Sequence, residues 1–280
     1  MAIFDIFEEV SGKAVTKTEA GDNRIFGVVV GEVVKNYDDN FPGRICVQLH
    51  TRDADANVVK WARMAMGYAG KEWGSYFLPE IGDQVLVVFE EGIVDKPYVI
   101  GCINKINDKF MTKSSDSNNR YKRIVTRHGN AIEMDDAPDS SGNGDGDGSG
   151  DSIRIHTTDK DSTHNHSITL NNEKNLIEIT DSDNKTQLQM KSENGDILLK
   201  ADRKITIKAG DDITIVLNGE SGKITVNSRD FTLDATGKLQ ASATSKVALS
   251  GAQVSAEAQG SLKLSASGLV QVSGTPIKIG

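Results

Sequence analysis

The back of this chain repeats with a short period. From residue 197 onward, one apolar residue opens each of eleven units: Ile197, Ile205, Ile213, Ile224, Phe231, Leu239, Val247, Val254, Leu262, Val270 and Ile277. The steps are 8, 8, 11, 7, 8, 8, 7, 8, 8 and 7 residues. Most units carry a second apolar or small residue two positions on, as at Ile207, Ile215, Val226, Leu233, Leu249, Leu264 and Val272. Lys, Ser, Thr, Asp and Gln flank these pairs, the alternation of a strand with one buried face and one wet face. Gly, Asn, Asp and Ser fill the links, which suits tight corners. The 11-residue step holds residues 218–222 (NGESG), a place for an extra loop. Less regular pairs at Ile153/Ile155, Ile168/Leu170, Ile177/Ile179 and Leu188/Met190 start the pattern earlier.

Two inward residues per unit make a thin interior. Eight alanines between residues 235 and 266 make it thinner. Wound as a solenoid of one chain, with about three units per coil, residues 196–280 give fewer than four coils, a weak stack. Three chains wound together share one axial core, and each strand edge finds a neighbour. At a strand spacing of about 4.8 Å, eleven units then rise roughly 50 Å.

The front half has different material. Of 15 aromatic residues, 14 lie at or before Tyr121, so only the front can build a core around bulky rings, with Trp61, Trp73, Phe77 and Phe89 as the expected centre. Strands are expected over residues 25–34, 44–50, 58–66, 84–89 and 98–103, broken by turns at Phe41-Pro42-Gly43, Glu80-Ile81-Gly82-Asp83, Glu91-Gly92 and Asp95-Lys96-Pro97. Five short strands with such turns fit a small closed barrel. No apolar run approaches the roughly 18 residues of a membrane span. No basic start followed by an apolar core marks a secretory signal, and two cysteines, Cys46 and Cys102, make no disulfide scaffold. Synthesis in the cytoplasm is the simpler reading. A net charge of −8 argues against a nucleic-acid partner held through its phosphates.

Residues 43–47 (GRICV), Trp61 to Ala65 (WARMA) and above all residues 74–103 carry a recognisable pattern. It resembles the OB-fold domain of phage baseplate spike proteins and of the VgrG proteins of type VI secretion. The matching positions are Phe77, Pro79, Glu80, Gly82, Asp83, Val85, Phe89, Gly92, Asp95, Pro97 and Gly101. Ile93 and Val94 depart from it, standing where the family has a polar turn. The resemblance covers residues 25–103. It implies an all-β chain, an N-terminal OB-fold barrel followed by an intertwined trimeric β-helix, or β-prism needle. The expected organisation is an N-terminal segment 1–20, the OB-fold domain 21–105, a linker 106–122, an irregular start of the β-helix 123–195 with a Gly/Asp-rich loop 140–151, and a regular β-helix 196–280. OB folds also bind oligonucleotides and sugars, but this segment lacks a basic groove with stacking aromatics. Trp61 and Trp73 are read as core or interface residues.

Three features invite other chemistry. The run from Gly142 to Asp151 alternates Gly and Asp, and carboxylate oxygens suit calcium, yet neither EF-hand nor nonapeptide spacing is present; an exposed flexible loop is the simpler reading. His164 and His166 point to one face of a strand, so six imidazoles from three chains would surround an axial metal, although the same stretch also reads as a turn. His128 precedes Gly129 and reads as part of a turn. No catalytic residue, cofactor site or metal site is assigned.

The expected function is mechanical: a membrane-piercing central spike of a contractile injection machine such as a phage tail, a bacteriocin particle or a secretion system. The resemblance implies a homotrimer, a baseplate hub protein held through the OB domain, and a PAAR-type tip protein at the far end, with transient contact with a target cell envelope. Phe4, Ile6 and Phe7 are the hub-contact candidates, or fold onto their own domain. Pro276, Ile277, Lys278, Ile279 and Gly280 are the tip-contact candidates, since an end of open strand edges calls for a cap; otherwise that end is itself the tip. With the OB domain near the start, a separate hub protein is expected. The alternatives are a trimeric β-helical adhesin or tail fibre, and a spike-linked enzyme that degrades cell wall or polysaccharide. Residues 104–153 are too few for an ordinary inserted catalytic domain.

Overall fold

The computed structural model describes residues 15–17, 23–49, 59–105, 108–138, 146–158 and 165–278. The chain divides into two units, Met1–Ile205 and Thr206–Gly280. The first begins with a two-stranded ladder, β1 (Val15–Lys17) on β2 (Asn23–Ile25).

Five strands then make the barrel: β3 (Val29–Lys35), β4 (Arg44–Leu49), β5 (Val59–Met64), β6 (Gln84–Phe89) and β7 (Pro97–Ile103). They close in the order β3-β4-β5-β7-β6, with β3 pairing β6. Every pairing is antiparallel except β5 with β7. Closure leaves no edge unpaired, which is the main liability of a small sheet. Gly31 is needed where β3 lies between its neighbours, because a Cβ there would stand 3.1 Å from the Gln48 carbonyl oxygen and 3.3 Å from Val87. The turn before β6 is locked locally. The Asp83 carboxylate accepts the Glu80 N–H at 2.9 Å, and Gly82 takes φ +93°.

The barrel core is aliphatic. Val33, Ile45, Val47, Leu49, Ala62, Val85, Val87 and Val99 are fully buried, and Phe89 closes the rim. Of the four rings expected at its centre, only Phe89 is there. Trp61 lies half-buried on the outside, stacked on Phe41 with ring centroids 5.2 Å apart. Trp73 and Phe77 are exposed. The barrel is filled by the inward residues of its Val-rich strands, which leaves Trp61 of β5 outside, while Trp73 and Phe77 lie in the connection between β5 and β6, off the barrel strands.

A six-residue helix, α1 (Lys109–Ser114), follows, within the segment expected to be a linker. Then comes a seven-stranded antiparallel meander: β8 (Tyr121–Val125), β9 (Ala131–Asp135), β10 (Ser152–His156), β11 (Ser167–Asn171), β12 (Leu176–Thr180), β13 (Thr186–Lys191) and β14 (Asp196–Ala201). Three of its hairpins turn on a left-handed residue, Asn175, Asn184 or Gly195, the residue types that tolerate positive φ.

A three-stranded sheet of β15 (Lys204–Ala209), β16 (Ile213–Asn218) and β17 (Lys223–Asn227) follows. Beyond Asn227 the expectation of continued strands is not met in the single chain. Among the described residues 228–278 no strand forms and no backbone hydrogen bond is made. What remains is a rhythm of bends at 236–237, 244–245, 251–252, 259–260, 267–268 and 275–276. Their spacing is the eight-residue period of the sequence. A strand is defined by its ladder, and here the chain offers itself no partner.

The barrel core sets a testable figure. Ile45→Ala removes a fully buried side chain and is expected to destabilise the barrel by about 2–5 kcal/mol. Urea unfolding of the full chain, followed by the fluorescence of the Phe41-stacked Trp61, measures it.

Candidate assembly interface

Strand alternation in the seven-stranded sheet sorts its residues into two faces. The pairing register then aligns them across the strands. One row runs Met134, Ile153, Leu170, Ile177, Met190, Ile197, and a second runs Ile124, Ile132, Ile155, Ile168, Ile179, Leu188, Leu199. The result is one continuous aliphatic face, two residues wide from β9 to β14 and continued on β8 by Ile124, with Lys122 beside it.

The opposite face is a polar network. The Arg120 guanidinium makes a two-pronged pair with Asp135, its Nη2 at 2.7 Å. Arg123 lies 3.1 Å from Glu133, whose other oxygen is 3.3 Å from His156 Nε2. Glu178 accepts hydrogen bonds from Gln187 and Gln189, the latter at 2.6 Å.

From β10 to β12 exposure runs opposite to polarity. On β12, Ile177 and Ile179 are 43% and 46% exposed, while Glu178 between them is more covered. On β14, Ile197 is 72% exposed. An ordinary half-buried sheet turns its apolar face inward. Here that face is in water, and burying each Ile or Leu is worth about 1.5–3 kcal/mol. An exposed aliphatic surface of this extent marks an interaction face.

The segment beyond β17 shows the same deficit in the second unit. Every residue from 229 to 278 is exposed, including Phe231, Leu239, Val254 and Leu262, with Leu249 at 82%. Ordering a backbone costs about 1–2 kcal/mol per residue. Neither buried area nor ladder hydrogen bonds offset that cost within one chain. Its backbone groups and apolar side chains thus find no ladder or facing layer among the described residues.

The individual candidate residues stand as follows. Pro276, Ile277 and Lys278 are exposed, while Ile279 and Gly280 lie outside the described residues, as do Phe4, Ile6, Phe7 and His164. His166 is exposed at the edge of a cleft that also holds Asp181 and Lys200. In the Gly/Asp-rich run, Asp147 accepts the Ser149 N–H at 2.9 Å and Asp151 the Ala137 N–H at 3.0 Å. Hydrogen bonds from Ser149, its side chain first and its N–H second, hold the Asp147 carboxyl below the usual range. Both carboxylates thus serve the turn itself. Among the described residues no group of three or more His, Cys, Asp or Glu side chains is placed to hold a metal ion. No helix among them is long and apolar enough to cross a membrane.

The sequence located the apolar rows but not the aromatic surface of the barrel. Between β5 and β6, Tyr68, Trp73, Tyr76 and Phe77 stand in water. A run of rings around glycines is the available signal; of these residues only Phe77 is expected from the sequence, as core, and Trp73, as core or interface.

Comparison with known proteins agrees with this architecture. Residues 29–103 match the type VI secretion system/phage-baseplate injector OB domain. The chain is 30% identical over 119 residues to the type VI secretion system spike protein VgrG1c of Pseudomonas aeruginosa, covering 39% of this chain and 16% of that protein. It is 33% identical over 105 residues to VgrG4b of the same organism, covering 31% and 13%, and 37% identical over 79 residues to VgrG1a, covering 27% and 12%. The chain thus spans about a sixth or less of the curated relatives it matches. Its barrel is thus similar to the injector OB domain of type VI secretion systems and phage baseplates, and this part of the chain resembles VgrG spike proteins.

Proposed function

We propose that three copies of this chain form the central spike of a contractile injection machine. The observation that carries the reading is the combination of a spike-type OB barrel with an eight-residue repeat whose units from Phe231 onward find no ladder partner among the described residues of the chain. A partner for every segment must bend at the same spacing, and another copy of the chain does so by construction. Three copies put the aliphatic faces around one axis and leave the polar network outside.

In this reading the OB domain holds the spike to a baseplate hub protein, with Phe4, Ile6 and Phe7 as contacts. The far end, Pro276 to Gly280, takes a PAAR-type tip protein. The role is structural rather than enzymatic. Contraction of the particle drives the needle through a target envelope, and interlocked chains resist that load because no chain can unfold alone. The chain is made in the cytoplasm and assembled into the particle.

Light scattering on the purified protein tests the assembly. Three chains of 30.2 kDa give 3 × 30.2 = 90.6 kDa, and a species of that mass surviving detergent is expected. A folded 30.2 kDa monomer would sink the proposal.

A pair of variants tests which face is covered. Ile168 lies in the aliphatic row opposite Ile155 and Ile179, and Thr169 faces the polar side opposite Arg154 and Glu178. Ile168→Lys is expected to lower the assembled mass or its detergent resistance. Thr169→Lys, placed beside Glu178, is expected to leave both unchanged. Equal behaviour of the two variants would contradict the assigned face.

A further inference from the structure

The aromatic loop between β5 and β6 is a second, separate surface. Tyr68, Trp73, Tyr76, Phe77 and Ile81 are each between 60% and 70% exposed. They are not the side chains of a loose loop. Ala69 bridges Gly74, the Gly70 N–H donates to the Trp73 carbonyl at 2.8 Å, and the Ser75 N–H donates to the Tyr68 carbonyl at 2.8 Å. The result is a small hairpin. Gly70 and Gly74 permit it: a Cβ on Gly70 would stand 2.4 Å from the Trp73 ring, and one on Gly74 would stand 2.8 Å from the Tyr68 carbonyl oxygen. The Trp73 ring is therefore laid against the Gly70 backbone with its outer side free. The base is tied down as well, with Asn36 donating to the Pro79 carbonyl at 3.2 Å and the Gly82 N–H to the Val33 carbonyl at 2.8 Å. Rigid Trp and Tyr side chains held out in this way lose little entropy on docking, which is the make-up of an interface anchor.

Two observations identify what docks. First, the foot of this loop is joined to the root of the seven-stranded sheet. Arg127, in the β8–β9 turn, lies 3.4 Å from Glu80, and Lys105 Nζ donates to the Gly82 carbonyl at 3.0 Å. Ile124 and Ile132 flank that turn and begin the aliphatic face. Whatever covers the first rung of that face stands beside the loop. Second, residues 66–81 carry Lys71 against Glu72, with Glu80 already paired to Arg127. In a chain of net charge −8 this is a nearly neutral patch. Like-charged copies meet with least repulsion where their surfaces are neutral.

We propose that this loop is a contact between copies of the chain, Tyr68, Trp73, Tyr76 and Phe77 packing on the neighbouring copy at the root of the shaft. The inference rests on the trimer reading and adds to it a barrel-level contact outside the shared core. A barrel joined to its neighbours this way is fixed in orientation, so a hub meets one rigid three-fold surface rather than three swivelling domains.

The test uses the full chain with a benzophenone amino acid in place of Tyr76, and separately Trp61→Phe, which leaves Trp73 as the sole tryptophan. Ultraviolet light is expected to join chains into products of 2 × 30.2 = 60.4 kDa and 3 × 30.2 = 90.6 kDa, with a yield that does not fall on dilution. Acrylamide is expected to quench Trp73 several-fold less in the assembled protein than in urea. A protein that is trimeric by light scattering yet gives no inter-chain product, with Trp73 quenched as in urea, overturns this inference alone and assigns the loop to another protein. A monomeric protein overturns the trimer reading and this inference with it.

Discussion

A β-strand is half of an interaction. Its backbone groups need a neighbouring edge, and its apolar side chains need a facing layer. Three parts of this chain meet that requirement to different degrees, and the rest of the structure follows from the difference. The barrel meets it alone. β3 pairs with β6, the ring closes, and the aliphatic interior is sealed. The seven-stranded sheet meets half of it, with ladders within one chain but an aliphatic face left in water. Residues 228–278 meet none of it.

This gradation explains where the side chains went. The barrel spends small branched residues inside, so its aromatics are available for the surface. The sheet keeps its charged and amide side chains engaged with one another, as in the Arg120–Asp135 and Arg123–Glu133–His156 groups. That network needs only water on its outer side. Its aliphatic rows need a solid partner. The distal repeat, with its many alanines, is suited to an interior shared by several chains at close quarters, where a large residue at each inward position would not fit.

Much of this was legible in the sequence because turns and alternation are local. The five barrel strands lie within a few residues of where Gly, Pro and Asp punctuate the chain, as at Gly43 and Gly82. The paired apolar positions Ile153/Ile155 through Leu188/Met190 fall on one face of the sheet, as period-two alternation requires. The rest was not legible because it depends on what lies opposite. Trp73 and Phe77 have core-like composition, and their place in the connection between β5 and β6 rather than on a barrel strand puts them outside. The units from Phe231 to Ile277 have strand-like alternation, and only a second edge makes them strands. Sequence patterning reports which side of a residue wants to be dry. It does not report which molecule dries it.

The same distinction bears on stability. A closed barrel has a folding free energy of its own, whereas the stability of a part completed only by other copies depends on their concentration. In the proposed spike this dependence ends once the chains interlock, because separation then requires all three to unwind together. Resistance of that kind is kinetic and grows with the length of interlocked chain. Fifty residues with no partner of their own are a liability in the single chain. Wound with two copies, each added unit lengthens the path that dissociation must retrace.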